Sequence, residues 1–531
     1  TEDLGPGKPG NRVEEKTPTI RNVNTLLDDT VRCRIMGRRG RETMVTTCAS
    51  RHRVEERESR KPHGEIRNQR DGAKQKGSGR NTGGYPDLAK TNLNPAIVDE
   101  GKSRRIPMER YERVLELIHE PERLYEAWQQ VKKNAGAAGM DGMTVKEFEQ
   151  REEELLQLIH EKLKAGTYRF KPARRVFIPK GGGKMRALGI PTVMDRVVAQ
   201  STNLVFQGIF EPTFTESNFG FRKGRSQHQA ILHVQQIVCE GYQWCAAVDL
   251  KSFFDEIPHG LILRLIRRSI SDERVVTLIA RALKSGVMIE GEFTKTTKGC
   301  PQGSPLSPML SNIVLNELDQ ELEGRGLRYA RWADDFVILA RSERAANRIL
   351  RGVSRYLEET LELPVNREKS RAKEIKRVTF LGFQILRGKI RVSEKARQKF
   401  KDNVRQLTKR NNGLSMYQIL HQLSIYLFGW VGYFRIQEFK YLFRDLDAWI
   451  RSRVRSMQLK KWKKPRKFQR VLLRSGVKPG EAQRVWVRMN RWQSVMRKEV
   501  RFVLNNEWFR RLGLIFLNDY TRGFSHPEGD C

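Results

Sequence analysis

Apolar positions along this chain change period several times, and each change marks an element. Tyr111, Val114, Leu115, Ile118, Leu124 and Trp128 recur at helical spacing, so order is expected from Ile106. A glycine-rich loop at residues 134–142 precedes a second amphipathic helix over 145–163. Short runs of β-branched and aromatic residues predict strands at 174–179, 246–250, 327–332, 336–340 and 378–383. Helical patterns fall between them at 195–210, after Ser226 as far as Val238, from His259, from Asp272, over 309–322 and over 345–361. From Ser393 onward the pattern is mostly helical. Mixed strands and helices followed by a helical run predict an α+β fold with a helical C-terminal region.

Residues 1–104 break this picture. They hold no Trp or Phe, and Tyr85 is the only aromatic. Too little apolar surface is available there to offset chain entropy, so a disordered basic extension is expected. It reads equally as a nucleic-acid-binding arm or as a passenger.

Charge then narrows the partners. The 531 residues carry a formal net charge of +38, with 38% hydrophobic residues. Such an excess calls for a polyanion: nucleic acid first, an acidic membrane surface second. No apolar run long enough to span a bilayer and no signal peptide is visible. The six cysteines include no Cys-x-x-Cys pair, so neither a zinc knuckle nor a disulfide framework is expected, which fits a reducing compartment.

Candidate chemistry sits at the polar interruptions. Ala333, Asp334 and Asp335 form a tight turn between two strand patterns. Two adjacent carboxylates repel, and a divalent metal is the usual remedy; an ordinary solvated turn is the alternative. Asp249 is the one charge in the apolar run 246–250. A buried lone carboxylate is costly unless paired or metal-bound, and Lys251 could share its face. If the two stretches met, they would build a two-metal site. The run Lys180-Gly-Gly-Gly-Lys-Met-Arg186 reads as a simple hairpin or as a cationic cradle for a triphosphate. The loop Gly299-Cys-Pro-Gln-Gly-Ser-Pro-Leu-Ser-Pro308 is a shaped turn aimed at a helix N-terminus.

The helical region adds a basic stripe. Over 439–457, Leu442, Phe443, Leu446, Trp449, Ile450, Val454 and Met457 share one face. Lys440, Arg444, Arg451 and Arg455 lie opposite, and Arg453 falls on the apolar side, where it must snorkel or find a partner. Lys460-Lys-Trp-Lys-Lys-Pro-Arg466 follows at once. Arg444, Arg451, Arg455, Lys460 and Lys461 are therefore candidates for RNA phosphate contacts, against the alternative of a solvated face.

Taken in order, these motifs resemble a group II intron-encoded protein, a reverse transcriptase with maturase activity. The resemblance runs through Lys180 to Pro191, Ser217 to Ser226, Val248-Asp-Leu-Lys-Ser-Phe-Phe-Asp255, Pro301-Gln-Gly-Ser-Pro-Leu-Ser-Pro308, Trp332-Ala-Asp-Asp335, Asn366 to Ser370 and Phe380-Leu-Gly382. It implies a right-hand polymerase with fingers and palm over 105–390, a thumb or maturase domain X over 391–470 and a basic tail over 471–531. It implies Asp249, Asp334 and Asp335 as catalytic carboxylates holding Mg2+. By the same resemblance Lys180 and Arg186 grip the nucleotide phosphates, Phe254 blocks a ribose 2′-hydroxyl and Gln302 floors the pocket. The implied partners are group II intron RNA, template–primer RNA and DNA, target DNA and dNTPs, with no membrane. The implied setting is the bacterial cytoplasm, with intron RNA and nucleoid DNA. The family usually has Tyr where Trp332 stands, so details of primer contact are open. No Cys pair follows Gly382, so the compact type without an endonuclease domain is expected, using a primer made elsewhere. Two rivals remain: a splicing cofactor with a vestigial polymerase, and a host-adopted reverse transcriptase serving defence or repair.

Overall fold

A proline decides where the first helix ends. The pattern from Tyr111 to Trp128 forms two helices, Val114–His119 and Pro121–Asn134, because Pro121 cannot continue a helix but starts one well. The second pattern also splits, at Arg151, into Val145–Gln150 and Glu152–Lys164. The computed structural model describes residues 110–521 except 182–183, 290, 412, 440, 463–464 and 488–494. The extension expected over 1–104 lies outside the described residues. Val114, Ile118, Leu124, Trp128, Phe148 and Ile159 pack with the helix Val193–Phe210 into one core. Each such side chain contributes about 1.5–3 kcal/mol by leaving water.

Among the described residues ten strands form three sheets. They are β1 (Ala173–Gly181), β2 (Lys184–Ile190), β3 (Trp244–Val248), β4 (Val287–Ile289), β5 (Glu292–Thr294), β6 (Arg328–Trp332), β7 (Asp335–Ala340), β8 (Arg371–Glu374), β9 (Phe383–Leu386) and β10 (Lys389–Val392). The first sheet has the order β2-β1-β4-β5, with the β1–β2 hairpin pairing antiparallel and closing on the glycine-rich run. The central sheet has the order β6-β7-β3-β8, all antiparallel.

Alternation along the central strands serves two cores at once. Ala246, Val248, Tyr329, Phe336 and Ile338 join the first core, which also takes in the helix Ser307–Gly324. Cys245, Ala330, Val337 and Leu339 join a second. That second core contains Ile231 and Val234 of the helix Gln227–Cys239. It also takes Phe400, Leu423, Phe443 and Ile450 from the C-terminal helices Glu394–Leu407, Met416–Phe434 and Tyr441–Lys461. The helical region is thus built directly onto the back of the central sheet.

One expected strand is absent. Residues 378–383 do not pair as a strand; Phe380 and Phe383 exchange backbone hydrogen bonds across Leu381 (φ 48°) and Gly382 (φ 81°). Two central residues at positive φ make a tight primed turn, and the strand begins only at Phe383.

Candidate active site

Asp249 leaves β3 at the end where the β6–β7 hairpin turns. In the antiparallel register Val248 faces Phe336 and Trp332 faces Asp335. One step further along β3 sets Asp249 beside Asp335. The turn itself is Ala333 and Asp334 only; Asp335 already begins β7, so the three-residue turn expected from sequence is one residue shorter. Ala333 holds φ 56°, a left-handed conformation that costs an ordinary residue energy and persists where the surroundings fix it. Trp332 packs on the second core.

The turn after Pro364 wraps Asp249. Asn366 donates its N–H to the Asp249 carbonyl at 2.8 Å, and the Asp249 N–H donates to Ser370 Oγ at 3.0 Å. Lys369 Nζ lies 3.1 Å from Asp249 Oδ2. The cation at Asp249 is therefore Lys369 and not Lys251, whose exposed side chain belongs to a segment turned away by the bond from its N–H to Pro364 O.

Asp334 and Asp335 both reach solvent at the tip. Even so, crowding by protein atoms, then the Asp334 and Asp249 carboxylates, push the Asp335 carboxyl up to about 7. Carboxylates crowded in this way suit a hard divalent cation with oxygen ligands. Among the described residues no three acidic, histidine or cysteine side chains enclose a single point, so the carboxylates are gathered without forming a finished cage.

The nucleotide-binding candidates lie on segments tied together through backbone. Ser252 (φ 47°) turns the chain into the short helix Phe253–Glu256. Phe254 O accepts the Cys300 N–H at 2.7 Å, and Gln302 O accepts the Gly189 N–H of β2 at 2.7 Å. Gly303 sits so close to β2 that a Cβ there would lie 2.3 Å from Gly189 O. Arg186 on β2 is exposed, and with Arg175 it acts on Asp255. Burial raises the Asp255 carboxyl, and Arg175, 4.0 Å away, pulls it back. The side chains of Lys180 and Lys184 fall outside the described ones.

The basic helix departs from expectation. Arg444 is exposed, but Arg455 is buried: its Nε donates to Leu504 O at 2.9 Å and its guanidinium covers the Phe509 ring. Lys460 donates to Asn411 Oδ1, and Lys461 donates to Leu414 O, so both tether their own chain. Arg453, on the apolar side, finds its partner in Thr408, donating to Oγ1 at 2.7 Å. A cavity of about 790 Å³ opens beside the helix, lined by Arg451, Arg455, Lys498 and Arg501 among others. Burial, then Arg451 and Arg501, push Arg455 down to about 10. Arg455 leaves the stripe because the segment 498–510 covers its part of the helix face, which faces solvent in a single-helix projection.

Comparison with known proteins agrees with this architecture. Residues 178–385 match the family described as reverse transcriptase (RNA-dependent DNA polymerase), and 397–476 match the group II intron maturase-specific domain. Protein YkfC of Escherichia coli (strain K12) is 35% identical over 329 residues, covering 54% of this chain and 86% of YkfC. The group II intron-encoded protein LtrA of Lactococcus lactis subsp. cremoris is 36% identical over 213 residues. This chain belongs to the group II intron-encoded reverse transcriptases. The match covers 40% of this reverse transcriptase and 35% of LtrA, so it spans about a third of that relative's length. A chain of the solved Cas6-RT-Cas1–Cas2 complex overlaps 46% of it at a TM-score of 0.31 and 23% identity, which adds nothing to the fold already described.

Sequence reasoning overlooked several residues of this reverse transcriptase. Lys369 and Ser370 were visible within a motif but carried no assigned contact. Gly220 presses on the hairpin tip: a Cβ there would meet Ala333 N at 2.3 Å. Asp319 shares the helix Ser307–Gly324 with Glu317, Glu321 and Glu323, and no sequence signal marked it as the fully buried one.

Proposed function

We propose that Asp249, Asp334 and Asp335 carry RNA-directed DNA synthesis with Mg2+, and that the basic helical region holds the RNA of the protein's own group II intron to promote splicing and mobility. The observation that carries the reading is the β3–β7 register, which sets Asp249 beside Asp335 at the tip bearing Asp334. When bound, a divalent cation there supplies a lowered pKa for the primer 3′-hydroxyl and neutralises charge on the pyrophosphate. Asp249, Asp334 and Asp335 supply its oxygen donors, and Lys369 marks the place where Asp249 accepts a positive charge. Arg186, with Lys180, offers cations to the triphosphate, while Phe254 and the backbone around Gln302 shape the sugar side of the pocket. Template–primer RNA and DNA, target DNA and dNTPs are the substrates this requires. A vestigial polymerase would have no use for three carboxylates crowded against their own repulsion. Among the described residues no helix is long and apolar enough to cross a membrane. Primer extension on an RNA template tests the activity directly, and a folded ribozyme in the flanking DNA separates an intron-borne enzyme from a host-adopted one.

Phe254→Val opens the space beneath the sugar. Ribonucleotide discrimination falls about ten-fold or more on one template, the range that a small change in the shape of a binding pocket gives. An unchanged ratio of ribo- to deoxyribonucleotide incorporation puts the gate elsewhere.

Intron RNA affinity falls steeply with salt, because each neutralised phosphate releases counterions. Lys498→Ala with Arg501→Ala lowers the log–log slope by about 0.7–0.9 for each phosphate that is no longer neutralised. Binding titrations at several salt concentrations check it, and a parental slope removes that cavity from the RNA interface.

A further inference from the structure

Beneath the hairpin tip lies a guanidinium with no access to water. Arg331, on β6, and Asp319, on the helix Ser307–Gly324, are both 0% exposed. Arg331 Nε donates to Asp319 Oδ1 at 2.8 Å and Oδ2 at 2.9 Å, and Nη2 donates to Oδ2 as well. Nη1 has a different task. It donates to Asn312 Oδ1 at 3.0 Å and to the Ala333 carbonyl at 3.1 Å. Ala333 is the left-handed residue immediately before Asp334.

The network closes on itself from the other side. Asn312 Nδ2 donates to Gly220 O at 2.8 Å. Gly220 is the residue whose missing Cβ lets the chain press against Ala333 N. Its own segment is zipped to β6 at Arg331: the Arg331 N–H donates to Ser217 O, and the Phe219 N–H donates to Arg331 O, both at 2.9 Å. The tip is therefore gripped at its carbonyl by Arg331 and backed at its amide by Gly220, with Asn312 joining the two.

A buried ion pair is a poor way to fill space. Well-packed apolar residues of similar volume often stabilise a fold as well or better. What an apolar pair could not do here is bond to the Ala333 carbonyl and to Asn312. The helix that carries Asn312 and Asp319 is also the one opened by residues 299–308, whose Gln302 O accepts the Gly189 N–H of β2 and whose Gly303 lies against Gly189. One rigid helix thus links the carboxylate tip to the nucleotide pocket.

We propose that Arg331 is a positioning residue for polymerisation: through Asp319, Asn312 and the Ala333 carbonyl it locks the Asp334–Asp335 tip to the helix that also sets the nucleotide pocket. This rests on the reading that Asp334 and Asp335 carry the chemistry. Displacements of about 1 Å at reacting groups cost about a hundred-fold in rate, so a lock of this kind has a kinetic signature.

Three full-length variants test it. Arg331→Met with Asp319→Leu removes both charges together, so neither is left buried and unpaired. Asn312→Ala keeps the ion pair and frees the link to Gly220, with room for a water in place of the amide. Asp334→Ala reports on the site itself. Melting and template–primer affinity monitor the fold; steady-state primer extension gives kcat and the dNTP KM. For the first two variants we expect parental template–primer affinity and dNTP KM with kcat down about ten-fold or more. A folded double variant with parental kcat overturns the proposal, and so does parental kcat in Asn312→Ala. A loss of activity that only follows the folded fraction, including failure of both variants to fold, makes Arg331 a structural residue and overturns it equally. If Asp334→Ala keeps its activity, the reading of the site falls instead.

Discussion

Alanine at both Asp334 and Asp335 stops cDNA synthesis and leaves splicing assistance standing. The two carboxylates sit exposed at the hairpin tip, Asp334 in the turn and Asp335 at the start of β7, and contribute nothing to either core, so their removal leaves the packing intact. It also removes the repulsion among Asp334, Asp335 and Asp249. Polymerisation has no substitute for these oxygen donors, and losing charge stabilisation of this kind costs at least about 10²–10³ in rate. Splicing chemistry belongs to the RNA, and the protein needs only to bind and hold the folded intron. Primer extension, melting and a splicing assay on one preparation check all three points. Near-normal cDNA synthesis by Asp334→Ala alone defeats the active-site assignment. Loss of splicing in a double variant that is folded and RNA-bound defeats the separation of functions. The converse variant must avoid Arg455, because its side chain is buried against Leu504 and Phe509 and its removal would disturb the fold. Arg444→Ala with Lys498→Ala and Arg501→Ala is the suitable set: it weakens intron binding and splicing while short-template extension suffers less.

Gly303→Ala closes the nucleotide pocket against itself. Two penalties coincide there. The residue holds φ 121°, a region that costs a residue with a side chain about 1–3 kcal/mol. The new methyl would also lie 2.3 Å from Gly189 O, a backbone atom of β2 that cannot swing aside. The loop must retreat, and the bond from the Gly189 N–H to Gln302 O goes with it. Because Gly303 is exposed and outside both cores, the protein still folds. The dNTP KM rises and extension efficiency falls about ten-fold or more, the consequence of a misplaced binding surface. Gly291→Ala is the control, since Gly291 also has positive φ (92°) but nothing within 4 Å of an added Cβ. A parental KM in Gly303→Ala would mean that the pocket does not lie against this loop.

Local chemistry was legible without any fold. The helical spacing of Val114, Ile118, Leu124 and Trp128 marked an apolar face, and those residues are core, although the helix break at Pro121 within that run was not read from the spacing. A hairpin with Asp334 and Asp335 at its end, and a single Asp249 in an apolar run, follow from β-strand periodicity and the cost of burying charge. The order of motifs carried the family. These properties depend on neighbours within a few positions, which a sequence states outright.

Tertiary structure decided everything that depends on which elements meet. Sequence could not say that β3 pairs with β7 in the register that sets Asp249 beside Asp335, because a shift of pairing leaves each strand's own pattern unchanged. Nor could it choose Lys369 over Lys251 as the cation at Asp249, since that choice rests on the turn at Asn366 folding back over β3. A single-helix projection put Arg455 on the outer face, but a second layer of chain covers that face, and a helical period contains no information about what packs beyond it. Arg331 and Asp319, each unremarked in its own element, acquire a joint meaning only when burial makes each charge depend on the other.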